Sequence, residues 1–229
     1  MKYAVFSDVH GNIYAFEAMM NALRCESIEG YLFCGDLTGY YYHAKKIIEE
    51  VRQLPNFIAV RGNHDELYLR ALDDSSVQCR AVQKFGSSYA SLDEETAQYI
   101  RTLPATLTMD IGNFRLVMLH GSPLSPLSGR IYPDSILDIP QLEFDFLFVG
   151  HTHYQMRRLH ENNCKIVNPG SLGQPRDGKG FSYYIVDFLT GEVDCRRVDF
   201  DLSPLFGEIA ERDSCALYLS DVLKRNRRL

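Results

Sequence analysis

Through the first third of the chain, short apolar runs ending on polar residues alternate with stretches of helical periodicity. Residues 2 to 7 form an apolar run that stops at Asp8, and Ile13, Phe16, Met19, Met20 and Leu23 follow at helical spacing. Tyr31-Leu32-Phe33-Cys34 runs into Gly35-Asp36, and a helical stretch with Ile47, Ile48, Val51 and Leu54 closes at Pro55. Phe57-Ile58-Ala59-Val60 then enters Gly62-Asn63-His64-Asp65. This alternation predicts a parallel-strand α/β core with its strand-end loops open for chemistry. From about 66 to 103 the pattern is helical, with Ser91-Leu92-Asp93-Glu94 as a capping box and Pro104 as a stop. Strand-like runs follow at 105 to 110, 114 to 119, 145 to 149, 157 to 160, 164 to 167, 182 to 188 and 192 to 199. Turns are expected at 111 to 113, Asn162-Asn163 and Thr190-Gly191. The second half therefore predicts a more antiparallel sheet, packed face to face on the first with helices outside. No linker or repeat divides the chain, which reads as one domain over 1 to 229 with 201 to 229 as a C-terminal helical extension.

Composition narrows the class. The 229 residues are 45% hydrophobic and 24% charged, which excludes disorder, collagen and coiled coil. Six Cys without a C-x-x-C pair read as reduced core thiols. The N-terminus lacks a signal-peptide core and no stretch approaches a membrane span, so a cytoplasmic location and no membrane partner are expected. A net charge of -6 argues against gripping long nucleic acid. A small phosphorylated substrate requires positive charge from another source.

Five of the seven His, at 10, 64, 120, 151 and 153, lie in loops directly after apolar runs, together with Asp8, Asp36 and Asn63. Mixed O and N donors suit a first-row divalent metal. Asp8, His10, Asp36, Asn63, His120, His151 and His153 exceed the need of one open catalytic ion and suit two ions sharing a carboxylate. The pairs at 8 and 10 and at 151 and 153 share one side if the backbone there is extended. Two divalent ions, two carboxylates and a bridging hydroxide leave a net charge of about +1, so an acidic chain acquires a cationic pocket. The ions make hydroxide available at neutral pH and clamp a phosphoryl group for in-line attack. His64 is placed to protonate a leaving oxygen, with Asp65 beside it to orient it or raise its pKa.

The blocks Asp8-x-His10, Gly35-Asp36, Gly62-Asn63-His64-Asp65, His120-Gly121 and Gly150-His151-Thr152-His153 resemble the calcineurin-like metallophosphoesterase superfamily. His120-Gly121-Ser122-Pro123 and the segment Asn168 to Arg176 are similar to its compact bacterial branch, and the resemblance covers about residues 1 to 200. It implies an α/β fold, a four-layer αββα sandwich of two mixed sheets flanked by helices, around a binuclear site. By position, Asp8, His10, Asp36 and His153 hold one ion, and Asp36, Asn63, His120 and His151 the other, with Asp36 as bridge and His64 as acid. Mn or Fe is favoured, with Zn, Ni or Mg as alternatives. The chain departs from many relatives at Tyr41-Tyr42-His43 and at Leu124, where they carry a Gly-Pro-rich loop and an Arg.

Substrate classes open to such a centre are a nucleotide phosphodiester, a dinucleoside polyphosphate and a phosphomonoester, including a phosphoprotein. Tyr40, Tyr41 and Tyr42 are candidates to stack a nucleobase, which favours nucleotides, or else cover apolar surface. Arg176 either reaches a substrate phosphate or forms a surface salt bridge. Asn168-Pro169-Gly170-Ser171 reads as a turn whose backbone supports the site, and His43 and His160 as solvent-facing. Lys224, Arg225, Arg227 and Arg228 suit a helix C-terminus more than an RNA-binding tail. Two rival readings are a non-catalytic scaffold like the retromer subunit of this fold, which lacks the acid His, and a metallo-β-lactamase-type hydrolase, whose His cluster comes early.

Overall fold

The computed structural model describes residues 1–136, 143–160 and 163–225. Five strands and five helices come first: β1 (Lys2–Phe6), α1 (Ile13–Leu23), β2 (Ile28–Phe33), α2 (Ala44–Val51), β3 (Phe57–Ala59), α3 (Asn63–Asp73), α4 (Ser75–Phe85), α5 (Glu94–Thr102), β4 (Thr106–Ile111) and β5 (Phe114–Leu119). Then follow β6 (Phe146–Phe148), β7 (Gln155–Leu159), β8 (Lys165–Pro169), β9 (Phe181–Asp187), β10 (Glu192–Val198), α6 (Ser203–Arg212) and α7 (Leu217–Arg225). They form two mixed five-stranded sheets, ordered β10-β9-β1-β2-β3 and β4-β5-β6-β8-β7.

Period-2 alternation explains the layering. Tyr3 and Val5 of β1 join Leu32, Leu116, Met118, Phe146 and Phe148 in the core between the sheets. Ala4 and Phe6 point the other way, onto α1, α2 and the C-terminal helices. The outer face of the second sheet is covered through Ile131 and Phe144, from the chain between β5 and β6. Leu205, Ile209, Leu219 and Leu223 sit in the same core as β1, so α6 and α7 are built into the first sheet's helical layer. Among the described residues, no helix is long and apolar enough to cross a membrane.

Several expectations are corrected. The runs at 182 to 188 and 192 to 199 belong to the first sheet, where β9 pairs antiparallel with β1 and β10 with β9. Six of the seven residues of β9 are buried, as a strand with neighbours on both sides requires, and the Met1 ammonium bonds Asp187 Oδ1 at 2.8 Å, pinning the register. In the second sheet β5, β6 and β8 run parallel, so it is less antiparallel than the pattern suggests. The helical tract breaks into three helices because Asp74 is extended between α3 and α4, with φ of -138° and ψ of 109°, and Gly86 ends α4 with φ of 96°. Its last helix is capped by Asp93, whose carboxylate accepts from the Thr96 N–H at 2.9 Å, and not by Ser91. Only Cys34 and Cys164 are core thiols; all six are free and four are exposed. Asn163 is left-handed with φ of 61°, whereas Asn162, Arg227 and Arg228 lie outside the described residues.

Candidate active site

Every metal-ligand candidate follows the carboxyl end of a parallel strand: Asp8 and His10 after β1, Asp36 after β2, Asn63 after β3, His120 after β5, His151 and His153 after β6. The two-apart pairs do not achieve their common side by extended backbone. Asp8, His10, Asp36, His151 and His153 all have positive φ, between 51° and 65°, so left-handed residues flank Val9 and Thr152 and turn both members of each pair inward. Glycines let the loops close up. A Cβ on Gly62 would lie 2.1 Å from Asp36 Oδ1, and one on Gly150 would lie 2.8 Å from Asp8 Oδ2.

The ring orientations are set from outside. Nδ1 of His10 faces Thr38 O at 2.8 Å, Nδ1 of His120 faces Cys34 O at 2.7 Å, and Nδ1 of His153 faces Gln174 O at 2.5 Å. A carbonyl only accepts, so each Nδ1 carries a proton and each Nε2 is the atom turned inward. There the acceptors crowd together. Asp8 Oδ1 lies 3.2 Å from His153 Nε2 and 3.7 Å from His10 Nε2, and the two Nε2 atoms are 3.2 Å apart. Asp36 Oδ2 lies 3.2 Å from His120 Nε2, which is also 3.1 Å from Asn63 Oδ1. Asp36 Oδ2 is in addition 3.7 Å from His10 Nε2, so this carboxylate faces both groups.

Asp8 Oδ1, Asp36 Oδ2 and His151 Nε2 are buried without a hydrogen-bond partner. Unpartnered buried acceptors of this kind are strongly unfavourable unless a cation sits among them. Asp8, His10 and His153 form one group able to hold an ion, and Asp36, His120 and His151 another. Burial opposes the charge on Asp8, yet the His153 and His120 imidazoles outweigh it and hold the carboxyl below its usual range. Asp36 is held low in the same way, chiefly by His120. Burial pushes His10 well below an ordinary imidazole and His151 down to about 4. On His120 the Asp36 and Asp8 charges overcome burial and push the pKa up to about 10. The donor set fits divalent ions, and the fit rests on these unpartnered atoms.

The segment after β8 braces the loops from beneath, as its turn character suggests. Leu172 and Gly173 N–H groups donate to Ser7 O and Asp8 O, Ser171 Oγ donates to Asp8 O at 2.7 Å, and Asn168 Nδ2 donates to Gly150 O at 2.7 Å. Asp65 serves the same end and is not the partner of His64. Its carboxylate accepts from the N–H groups of Asp36, Thr38 and Gly62, and from Thr38 Oγ1, all within 3.1 Å. It stands at the third helical position of α3, where a carboxylate caps backbone donors. Burial, helped by the Asp36 charge, pushes Asp65 up to about 6.

His64 Nδ1 instead meets the fully buried Tyr89 hydroxyl at 2.8 Å. Nothing in the local sequence marks Tyr89, which comes from the short turn between α4 and α5. Burial pushes His64 down to about 4. Its ring lies 4.7 Å from Tyr40 and 4.6 Å from Phe85, centroid to centroid. Tyr40 also packs edge-on to His10, and its hydroxyl accepts from Arg176 at 3.1 Å. Tyr41 and Tyr42 do not join it: their hydroxyls donate to Leu219 O and Asp213 Oδ2, tying this loop to the C-terminal helices. Arg176 makes no ion pair among the described residues; Gln174 Oε1 and Tyr40 hold its guanidinium at the rim of a pocket of about 480 Å³. His43 is half-buried and bonds Glu208 at 2.8 Å. Leu124 is 69% exposed.

Residues 1–191 match the calcineurin-like phosphoesterase superfamily domain. An uncharacterised protein of Methanocaldococcus jannaschii is 28% identical, over 91% of this chain and 91% of its own length. The crystal structure of a metallophosphoesterase from Sphaerobacter thermophilus is 28% identical, covers 99% of both chains and superposes with a TM-score of 0.80. A hypothetical protein from Pyrococcus horikoshii shares the fold at 22% identity and a TM-score of 0.79, over 98% of this chain and 97% of its own. Because the matched span holds all of the strand ends that present these buried acceptors, the chain belongs to the calcineurin-like phosphoesterase superfamily and is a metallophosphoesterase.

Proposed function

We propose that the protein hydrolyses phosphate esters at a two-ion centre, with nucleotide-type phosphodiesters as the favoured class. The carrying observation is the pair of buried, unpartnered carboxylate oxygens, Asp8 Oδ1 and Asp36 Oδ2, facing inward-turned imidazole nitrogens. Asp8, His10, Asp36 and His153 would hold one ion; Asp36, Asn63, His120 and His151 would hold the second. Bound there, divalent ions supply hydroxide at neutral pH by lowering the pKa of water toward ~7 and offset phosphoryl charge.

The protein's own groups do the rest. His64 Nδ1 is engaged by Tyr89, and Nε2 makes no hydrogen bond to a described residue, so Nε2 is the atom that hands a proton to the leaving oxygen. Burial favours the neutral ring, whereas a substrate phosphoryl charge beside it favours the proton's return. Tyr40 and Arg176 line the adjoining pocket and support an aromatic, anionic substrate. The presence of His64 beside a full donor set favours catalysis over a scaffold role.

Protein loaded in turn with Mn²⁺, Fe²⁺, Zn²⁺, Ni²⁺ and Mg²⁺ should cleave bis-p-nitrophenyl phosphate with at least one ion. Absence of turnover with all five refutes the reading. His64→Ala should retain its metal and lose ~10²–10⁴ in rate on alkyl esters, with a smaller loss on p-nitrophenyl esters, whose leaving group needs less help from an acid.

A further inference from the structure

The pocket beside His64 has a wall that the family match contains only in part. Lys84 and Phe85 come from the end of α4, and Tyr218 and Arg225 from α7, which lies beyond residue 191. The helix is firmly seated: Leu219 and Leu223 are fully buried, and Leu219 O accepts from the Tyr41 hydroxyl at 3.1 Å. Resting on the phosphoesterase reading above, we infer that this wall and Tyr40 with Arg176 form a leaving-group subsite for a nucleoside phosphate, the base held among Phe85, Tyr40 and Tyr218 and its phosphate by Lys84, Arg176 and Arg225.

Position, shape and charge agree on this assignment. The group that departs from phosphorus lies on the side of the acid, and the His64 ring contacts two pocket walls, Phe85 at 4.6 Å and Tyr40 at 4.7 Å. Tyr40 meets Phe85 at 5.6 Å and Tyr218 at 6.4 Å between centroids, both edge-on, so an aromatic surface leads from the acid outward. Stacking on such surfaces accepts any base. The volume of about 480 Å³ falls within the usual span of small-ligand sites.

The charge is more telling. In a chain with 30 acidic and 24 basic residues, this lining holds three cations and no carboxylate. None of the three forms an ion pair among the described residues, so their charge is free to meet an anion. Unpaired cations over aromatic walls suit a planar base carrying an anion. In the reaction, a hydroxide oxygen forms the new bond to phosphorus and the bond from phosphorus to the leaving oxygen breaks. That oxygen takes the proton from His64 Nε2 and departs as part of the nucleoside phosphate.

Calorimetry on Mn²⁺-loaded protein with AMP, adenosine and ribose 5-phosphate tests the assignment. AMP should bind at least tenfold tighter than ribose 5-phosphate. Tyr218→Ala, at a site 37% exposed, should abolish that preference while leaving ribose 5-phosphate within twofold. Lys84→Ala should weaken AMP several-fold and leave adenosine unchanged. Equal affinity for AMP and ribose 5-phosphate, or wild-type AMP binding by both variants, overturns the subsite. If bis-p-nitrophenyl phosphate is still turned over, only the subsite fails; selective AMP binding without any turnover sinks the phosphoesterase reading instead.

Discussion

Replacing Gly62 by alanine isolates the tightest contact in the site. Gly62 has φ of -103° and ψ of -175°, an extended backbone that alanine adopts freely, so the substitution adds only a methyl group. That methyl would stand 2.1 Å from Asp36 Oδ1 and 2.6 Å from Asp36 Cγ and N. Ordinary contact begins near 3.5 Å, so either the carboxylate or the Gly62 backbone must give way by roughly 1.4 Å. The overlap costs about 1–3 kcal/mol of stability. A misplacement of about 1 Å at the carboxylate facing both ion groups costs on the order of 10²-fold in rate. Gly207→Ala is the control: it has open space around it in α6, and the same change there should stabilise by about 0.5–1 kcal/mol. Thermal melts, metal content by plasma emission and steady-state kinetics read the three quantities. Gly62→Ala protein that keeps two ions per chain and wild-type kcat would refute the argument.

Tyr89→Phe should keep the ring packing but strip His64 Nδ1 of its partner, lowering stability by about 1–3 kcal/mol and kcat on alkyl esters while metal content holds; unchanged kcat would deny Tyr89 its positioning role. Asp65→Asn should lower metal occupancy and stability together, because an amide cannot accept at both ends as the carboxylate does from three backbone N–H groups; normal occupancy with a selective rate loss would return Asp65 to a direct role. Without metal, His120 titrates near 10 and is charged at neutral pH, while an ion requires it neutral, so Mn²⁺ uptake at pH 7 should expel a proton. Affinity should then rise with pH up to about 10, and calorimetry in two buffers of different ionisation enthalpy would show no buffer dependence if this is wrong.

The centre was legible because its residues sit in short motifs at strand ends, each an apolar run followed at once by donors. Spacing alone paired 8 with 10 and 151 with 153, though for the wrong backbone reason, since left-handed torsions leave no mark in hydropathy. The transfer of β9 and β10 to the first sheet is a pairing choice between residues 2 and 187, which no local pattern encodes. Asp65 illustrates a different failure. A carboxylate next to the proposed acid in sequence points away from it in a helix's first turn, where neighbouring side chains diverge by about 100°. Phe85 and Tyr218 come from helix ends that look like ordinary amphipathic surface and Tyr89 from a short turn, and only packing brings them together around Tyr40 and His64.

The left-handed torsions at five candidate ligand positions restrict what chemistry this centre can adopt. Outside glycine, that region of backbone space is populated chiefly by Asn, Asp and His, and other side chains there cost about 1–3 kcal/mol each. Rewriting position 10 or 153 as cysteine to attract soft ions such as Cu(I) therefore meets resistance from the main chain before coordination preference is felt. The scaffold screens its donors by dihedral angle, and favours carboxylate and imidazole over thiolate at these positions.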